Sequence, residues 1–343
     1  TPLTLDTGAG NDLLIGSQWN DILISGEGDD RVSGSRGVDT FSDASGNDQL
    51  FESRDADFTI NRTTLTIGTE TETTISPFEE VLLTGGASAN TFNVSDWTGT
   101  LRMDGAGGSD TYNFWYRGAG DSVVTENDSG TTGNDSLNLY GTSGLDHFKL
   151  DANSADAGVL SDGKVQVEHG AIVSGSFVGD GSFETFNYTH SEFFTMHAGA
   201  GNDIMVVDDI ASFSSVDIYG DQGDDTFTVG RVLAETLIGG VPVATSISNG
   251  TSTPARFYGD DGTDDYPIQP DAYYGDDYFE VNHNVAEVWL YGDAGDDTFV
   301  VKLPPGAKLK SAPQPAEGSS PFGSYRVELA VAGGQVTVKS RVE

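Results

Sequence analysis

Residues 7–51 read TGAGNDLLI (7–15), GSQWNDILI (16–24), SGEGDDRVS (25–33), GSRGVDTFS (34–42) and DASGNDQLF (43–51). These are five nonapeptides without a slip, and the sixth place of each is an aspartate: Asp12, Asp21, Asp30, Asp39 and Asp48. The eighth place holds Leu14, Leu23, Val32, Phe41 and Leu50, apolar every time. A short fixed period with one apolar residue per repeat predicts a stack of turns and strands in which each unit packs only on its neighbours. Gly8, Gly10, Gly26 and Gly28 precede the first and third aspartates, where tight turns need a backbone without Cβ.

From residue 85 the same turn returns at wider spacing: GGASANTF (85–92), GAGGSDTY (105–112), GAGNDIM (199–205), GDQGDDTF (220–227), GDDGTDDY (259–266), YGDDYF (274–279) and GDAGDDTF (292–299). Its acidic places give Asp110, Asp135, Asp203, Asp225, Asp264, Asp277 and Asp297, with Gly201, Gly223 and Gly295 in the turns. Asn90 and Glu184 replace the aspartate, and Asp146 in Gly144-Leu145-Asp146 lacks further acids. Two residues after these anchors stand Phe92, Tyr112, Leu137, Phe148, Phe186, Met205, Phe227, Tyr266, Phe279 and Phe299. Four residues after stand Val94, Phe114, Leu139, Leu150, Tyr188, Val207, Val229, Ile268, Val281 and Val301. Apolar residues two apart predict a strand with one buried face. The same alternation runs before the turns, as in Val81 and Leu83, so each later coil buries two side chains per strand and the stack widens after residue 57.

The nonapeptides resemble the repeats-in-toxin family, whose repeat is G-G-x-G-x-D-x-U-x. That resemblance implies an all-β parallel β-roll or β-solenoid with Ca²⁺ between its turns. In that family two nonapeptides make one coil, which would stack Asp12, Asp30 and Asp48 on one edge and Asp21 and Asp39 on the other. Strands about 4.8 Å apart would hold bare carboxylates in mutual repulsion. A divalent ion between them reverses the sign, and Ca²⁺ takes carboxylate and backbone carbonyl oxygens together. Several calcium ions are therefore expected at the aspartates and glycines named above.

Four regions follow: a nonapeptide calcium roll over 1–56, a wider solenoid over 57–303, a Pro-rich linker over 304–323 and a terminal β-hairpin over 324–343. Stretches 57–84 and 151–183, rich in Thr, Val and Ser, predict hairpin excursions from the coil. Residues 231–256 read as a third loop. The N-terminus begins inside a repeat, as expected of a mature or excised segment whose export signal lies elsewhere.

The 54 acidic residues face 16 basic ones, a formal charge of −38, which argues against nucleic acid and anionic membrane surfaces as partners. No run of about 18 apolar residues is present to enter a membrane. Aspartate outnumbers glutamate 38 to 16, which places the acid in turns rather than on helices. No cysteine is present, so disulfides cannot staple this turn-rich chain. The five histidines, His147, His169, His190, His197 and His283, show no H-E-x-x-H spacing, and no G-x-S-x-G elbow or phosphate loop occurs. The chain therefore reads as no enzyme. The resemblance implies a secreted, calcium-stabilised structural module of a bacterial surface, matrix or filament protein, pairing with copies of itself or other matrix components. A carbohydrate-binding or adhesive module using Trp97 and Trp115 stays open beside it, as does a polysaccharide-active solenoid enzyme.

Overall fold

The computed structural model describes residues 1–343 except 73–74, 77, 153–162, 211–212, 231, 239–240, 249, 260–274, 283–285, 287, 293–296, 303–327, 333–334 and 340–343. Every helix and strand among these residues is a strand. The chain divides into two compact units, Thr1–Tyr140 with Ser182–Phe193, and Gly141–Gly181 with Phe194–Glu343.

In the first unit successive nonapeptides go to alternate sheets. Thr4–Asp6, Ile22–Ile24 and Thr40–Ser42 pair in parallel, with Thr4 opposite Ile22 and Ile22 opposite Thr40. Leu13–Ile15, Arg31–Ser33 and Gln49–Ser53 do the same in a second sheet. Partners 18 residues apart mean that two nonapeptides make one coil. Inward residues Leu14, Leu23, Val32, Phe41 and Leu50 are all buried, and each strand supplies one at the eighth place.

The coil then widens, because the strands lengthen and bury two positions. Gln49–Ser53 pairs with Glu80–Thr84, which pairs with Gly99–Asp104, which pairs with Ser122–Glu126. Opposite them run Phe58–Ile60, Thr91–Val94, Thr111–Trp115 and Ser136–Tyr140, again parallel. Phe92, Val94, Tyr112, Phe114, Leu137 and Leu139 fill the space between. In-register parallel pairing puts equal positions one strand spacing apart, so the rings stack: Phe92 lies 4.9 Å from Phe58 and 5.1 Å from Tyr112.

The second unit repeats this construction. Asp146–Ala152, Ile204–Val207, Thr226–Val229, Tyr278–Val281 and Thr298–Lys302 pair in parallel, in that order. Ser215–Tyr219, Ala255–Tyr258 and Val288–Tyr291 form a second parallel set. Phe227, Phe279 and Phe299 stack at 4.6 and 4.8 Å.

The excursions are antiparallel, as the sequence predicts. Phe58–Ile60, Leu65–Ile67 and Glu70–Glu72 form a meander. Gly163–Val173 lies antiparallel on Asp146–Ala152 and turns through Ser174 and Gly175, whose φ values of 54° and 81° suit a two-residue hairpin, into Ser176–Tyr188. Residues 231–256 are not a plain loop. Val232–Ile238 and Val241–Ile247 form an antiparallel pair flanking Gly239-Gly240, and β-branched runs around a Gly-Gly pair carry that signal. At the other end, Glu328–Ala332 and Gln335–Lys339 form the expected hairpin, and Gln335–Lys339 pairs antiparallel with Thr298–Lys302. The linker 304–323 lies outside the described residues.

Candidate metal centres

Most of the turn aspartates accept a backbone N–H from the matching position of the previous coil. On one edge the Asp12 N–H donates to Asp30 Oδ1 at 2.8 Å, and the Asp30 N–H to Asp48 Oδ1 at 2.8 Å. On the other edge the Leu3 N–H donates to Asp21 Oδ1 at 2.6 Å and the Asp21 N–H to Asp39 Oδ1 at 2.6 Å. The column resumes beyond the first roll, where the Asn90 N–H donates to Asp110 Oδ1 at 2.6 Å and the Asp110 N–H to Asp135 Oδ1 at 2.8 Å. In the second unit the N–H groups of Asp146, Asp203 and Asp225 donate to Oδ1 of Asp203, Asp225 and Asp277, each at 2.7 Å. The Asp277 N–H then donates to Asp297 Oδ1 at 3.1 Å. Asp264 and Gly295 lie outside the described residues.

One oxygen of these carboxylates is thereby used, and in several of them the second is not. The buried Oδ2 atoms of Asp12, Asp30, Asp39, Asp48, Asp110, Asp203 and Asp225 accept no hydrogen bond. A buried acceptor left in this state costs about 1–3 kcal/mol, more when charged. Two clusters are tighter still: one carboxylate oxygen from each of Asp30, Asp43 and Asp48 lies within 4.8 Å of the others, and the same holds for Asp110, Asp128 and Asp135. At an effective dielectric near 20, two charges at that distance repel by about 3 kcal/mol. Burial pushes Asp39 up to about 6, Asp203 to about 8 and Asp225 to about 9, against backbone hydrogen bonds that pull the other way. At these three positions burial opposes the charged form, whereas at Asp21, despite its desolvation, the N–H groups of Ser17 and Leu3 hold the carboxyl below its ordinary value.

The glycines sit where the coils touch. Gly28 has φ 127°, and a Cβ there would collide with the Gly10 carbonyl oxygen; Gly26 stands in the same relation to Gly8, and Gly223 to Gly201. Carbonyl oxygens are thus stacked along the turns, and at Gly220 a Cβ would meet both the unused Asp225 Oδ2 and the Gly259 carbonyl oxygen. This mixture of carboxylate and carbonyl oxygens is a hard donor set that fits Ca²⁺. The ion would neutralise the column and occupy the unused oxygens.

Three column members were not legible in the turn spacing. Glu79, Glu72 and Glu192 accept the N–H groups of Asp48, Asp39 and Asp135 respectively, and so take the aspartate's place at a column end. All three stand outside the turn motif, where the longer side chain reaches across. Glu184 instead accepts the Arg117 N–H, at 2.8 and 3.0 Å to its two oxygens. His169 Nδ1 meets Asp146 Oδ1 at 2.6 Å, so a histidine faces this aspartate, and His197 Nδ1 lies 2.9 Å from Asp221 Oδ1.

A widening parallel roll with stacked turn carboxylates and glycine carbonyls defines the class of calcium β-rolls. The family model of the RTX calcium-binding nonapeptide repeat, in 4 copies, matches residues 6–41, 20–50 and 288–301, so the chain carries RTX calcium-binding repeats in both units. The comparison with individual curated proteins gives no match.

Proposed function

We propose that the chain is a calcium-stabilised structural module of a bacterial extracellular surface, matrix or filament protein. The observation that carries this reading is the pair of carboxylate columns in the first roll, buried and with Oδ2 unused in Asp30, Asp39 and Asp48. Sites built largely from single carboxylates and carbonyls fill at the roughly 10⁻⁴ to 10⁻³ M calcium affinities typical of extracellular modules. The absence of cysteine leaves calcium as the staple. The same aspartates are spent on backbone N–H groups inside the stack rather than facing a groove, which supports a structural role over acid–base catalysis. Of the two tryptophans of the sugar-binding alternative, Trp97 is buried at 2% exposure, while Trp115 is exposed and stacks on Tyr140 at 4.8 Å.

Self-association belongs to this proposal. Leu13, Ile15, Trp19 and Ile22 face outward from the first coils and are exposed, a surface suited to burial against another copy. The C-terminal hairpin pairs with its own last strand, so it serves as a cap, and removing it would bare that strand. Two measurements test the proposal. Calcium titration of the full chain should give half-saturation near the millimolar range; saturation at nanomolar calcium would contradict an extracellular staple. Sizing of the calcium-loaded protein, intact and lacking residues 321–343, should show assembly that grows on truncation; a strict monomer in both forms would overturn self-association.

A further inference from the structure

We propose that Asp110, Asp128 and Asp135 form a distinct divalent-cation site in which Asp128, a residue outside the repeat, is a ligand and the Tyr112 hydroxyl its positioning group. The inference rests on the calcium reading above and adds to it a residue that the nonapeptide does not require. Asp128 precedes the turn Gly130–Asp135 and follows the strand Ser122–Glu126, a place where the repeat asks for no acid. It is nevertheless 2% exposed, beside Asp110 at 1% and Asp135 at 7%. Among the described residues no ion pair involves any of the three. An acid buried among acids without a cationic partner calls for a cation from solution.

The second observation is the unused oxygen. Asp110 Oδ1 takes the Asn90 N–H, whereas Asp110 Oδ2 accepts nothing. That Oδ2 points at Gly105, where any Cβ would collide with it. With one oxygen of each carboxylate within 4.8 Å of the others, a single ion can touch all three. Calcium–oxygen distances of roughly 2.3–2.6 Å put opposite ligands up to about 5 Å apart, so the cluster needs no expansion to close on the ion.

Asp128 is held in this position by three hydrogen-bonding neighbours. Tyr112 Oη donates to Asp128 Oδ2 at 2.9 Å and accepts the Gly105 N–H at 2.7 Å. The Gly130 N–H donates to Asp128 Oδ1 at 2.7 Å. Phe92, Phe148, Phe186, Phe227 and Phe279 stand where Tyr112 stands in other coils, so among the described residues the hydroxyl is an addition to the core pattern. Behind it, the fully buried Glu126 accepts the N–H groups of Asp128 at 3.0 Å and Thr189 at 2.9 Å, fixing the backbone of the segment. Lone pairs of Asp128 not used by these donors remain for the ion.

The test is calcium calorimetry of the full chain, with Tb³⁺ luminescence excited through tyrosine as a second readout. Asp128→Asn, which preserves shape, should bind one ion fewer than the parent chain. Tyr112→Phe should keep the ion count, weaken one site by about tenfold or more, and lose that ion's share of tyrosine-sensitised emission. Unchanged stoichiometry and affinity in Asp128→Asn would overturn the site, and unchanged affinity and emission in Tyr112→Phe would remove the positioning role. Asp30→Asn separates the two levels of the account. If it loses calcium while Asp128→Asn does not, this inference fails alone; if the parent chain binds no calcium, both fail.

Discussion

Replacing Asp30 by Asn should stabilise the calcium-free protein and destabilise the calcium-loaded one. Asp30 is 1% exposed and lies in a cluster with Asp43 and Asp48, the ligand oxygens within 4.8 Å of one another. Its Oδ1 accepts the Asp12 N–H, an interaction that the Asn carbonyl oxygen can keep. In chelator at pH 8, removing one charge therefore relieves about 3 kcal/mol of repulsion for each ionised neighbour. In calcium the same change deletes a ligand whose Oδ2 has no other partner. One ion lost at a hundredfold excess over Kd removes about 2.7 kcal/mol. Because Asp30 stacks with both Asp12 and Asp48, its Asn variant should also release more calcium than Asp12→Asn, which sits at the column end. Thermal melts in chelator and in 5–10 mM Ca²⁺, roughly an order above the affinity range of extracellular sites, read the sign in each condition. A shift of the same sign in both would refute the argument, and equal calcium loss from the two variants would refute the 18-residue stacking.

The pH dependence should invert between the two states. Asp39, Asp203 and Asp225 rise from the ordinary 3.8 to about 6, 8 and 9 as burial disfavours their charge. A raised carboxylate leaves the folded state binding more protons than the unfolded one, so its contribution is full below pH 4 and is lost as pH rises to 9. Melting temperature in chelator should accordingly be higher at pH 5 than at pH 9, whereas calcium stabilisation should shrink at pH 5 as protons occupy the ligands; a chelated protein most stable at pH 9 would contradict this. Gly28→Ala, at φ 127° and against the Gly10 carbonyl, should cost about 1–3 kcal/mol in backbone strain alone. Gly10→Ala, at the same φ of 127° but with nothing within 4 Å of its Cβ, should carry the strain alone, and denaturant midpoints of the two variants show what contact between coils adds.

The first roll was legible because its period is strict. Leu14, Leu23, Val32, Phe41 and Leu50 announce the core, and Asp12 to Asp48 announce the columns, by position alone. The later strands were legible from pairs such as Phe92 with Val94 and Tyr112 with Phe114, since burial at every second residue survives changes in turn length. What escaped was contributed from outside the period. Glu72 and Glu79 enter the columns from an excursion and its return, so spacing along the chain carries no trace of their place. Asp128 stands just before a turn, and only the fold shows it beside Asp110 and Asp135. Tyr112 passes for one more core aromatic until its hydroxyl is seen between Gly105 and Asp128. The pair Val232–Ile238 and Val241–Ile247 was obscured by its Thr, Ser and Asn content, although the apolar runs around Gly239-Gly240 carried the hairpin.

The central claim is that calcium neutralises the carboxylate columns and so stabilises the folded roll. It is tested most directly by following circular dichroism and melting of the full chain as calcium is added to the chelated protein at pH 7.5, with bound ions counted by calorimetry. The expected outcome is a loosened or unfolded apo state at a formal charge of −38, a gain of β-sheet signal with calcium, and a melting temperature that climbs as several ions bind. Identical spectra and melting temperatures in chelator and in millimolar calcium would contradict it.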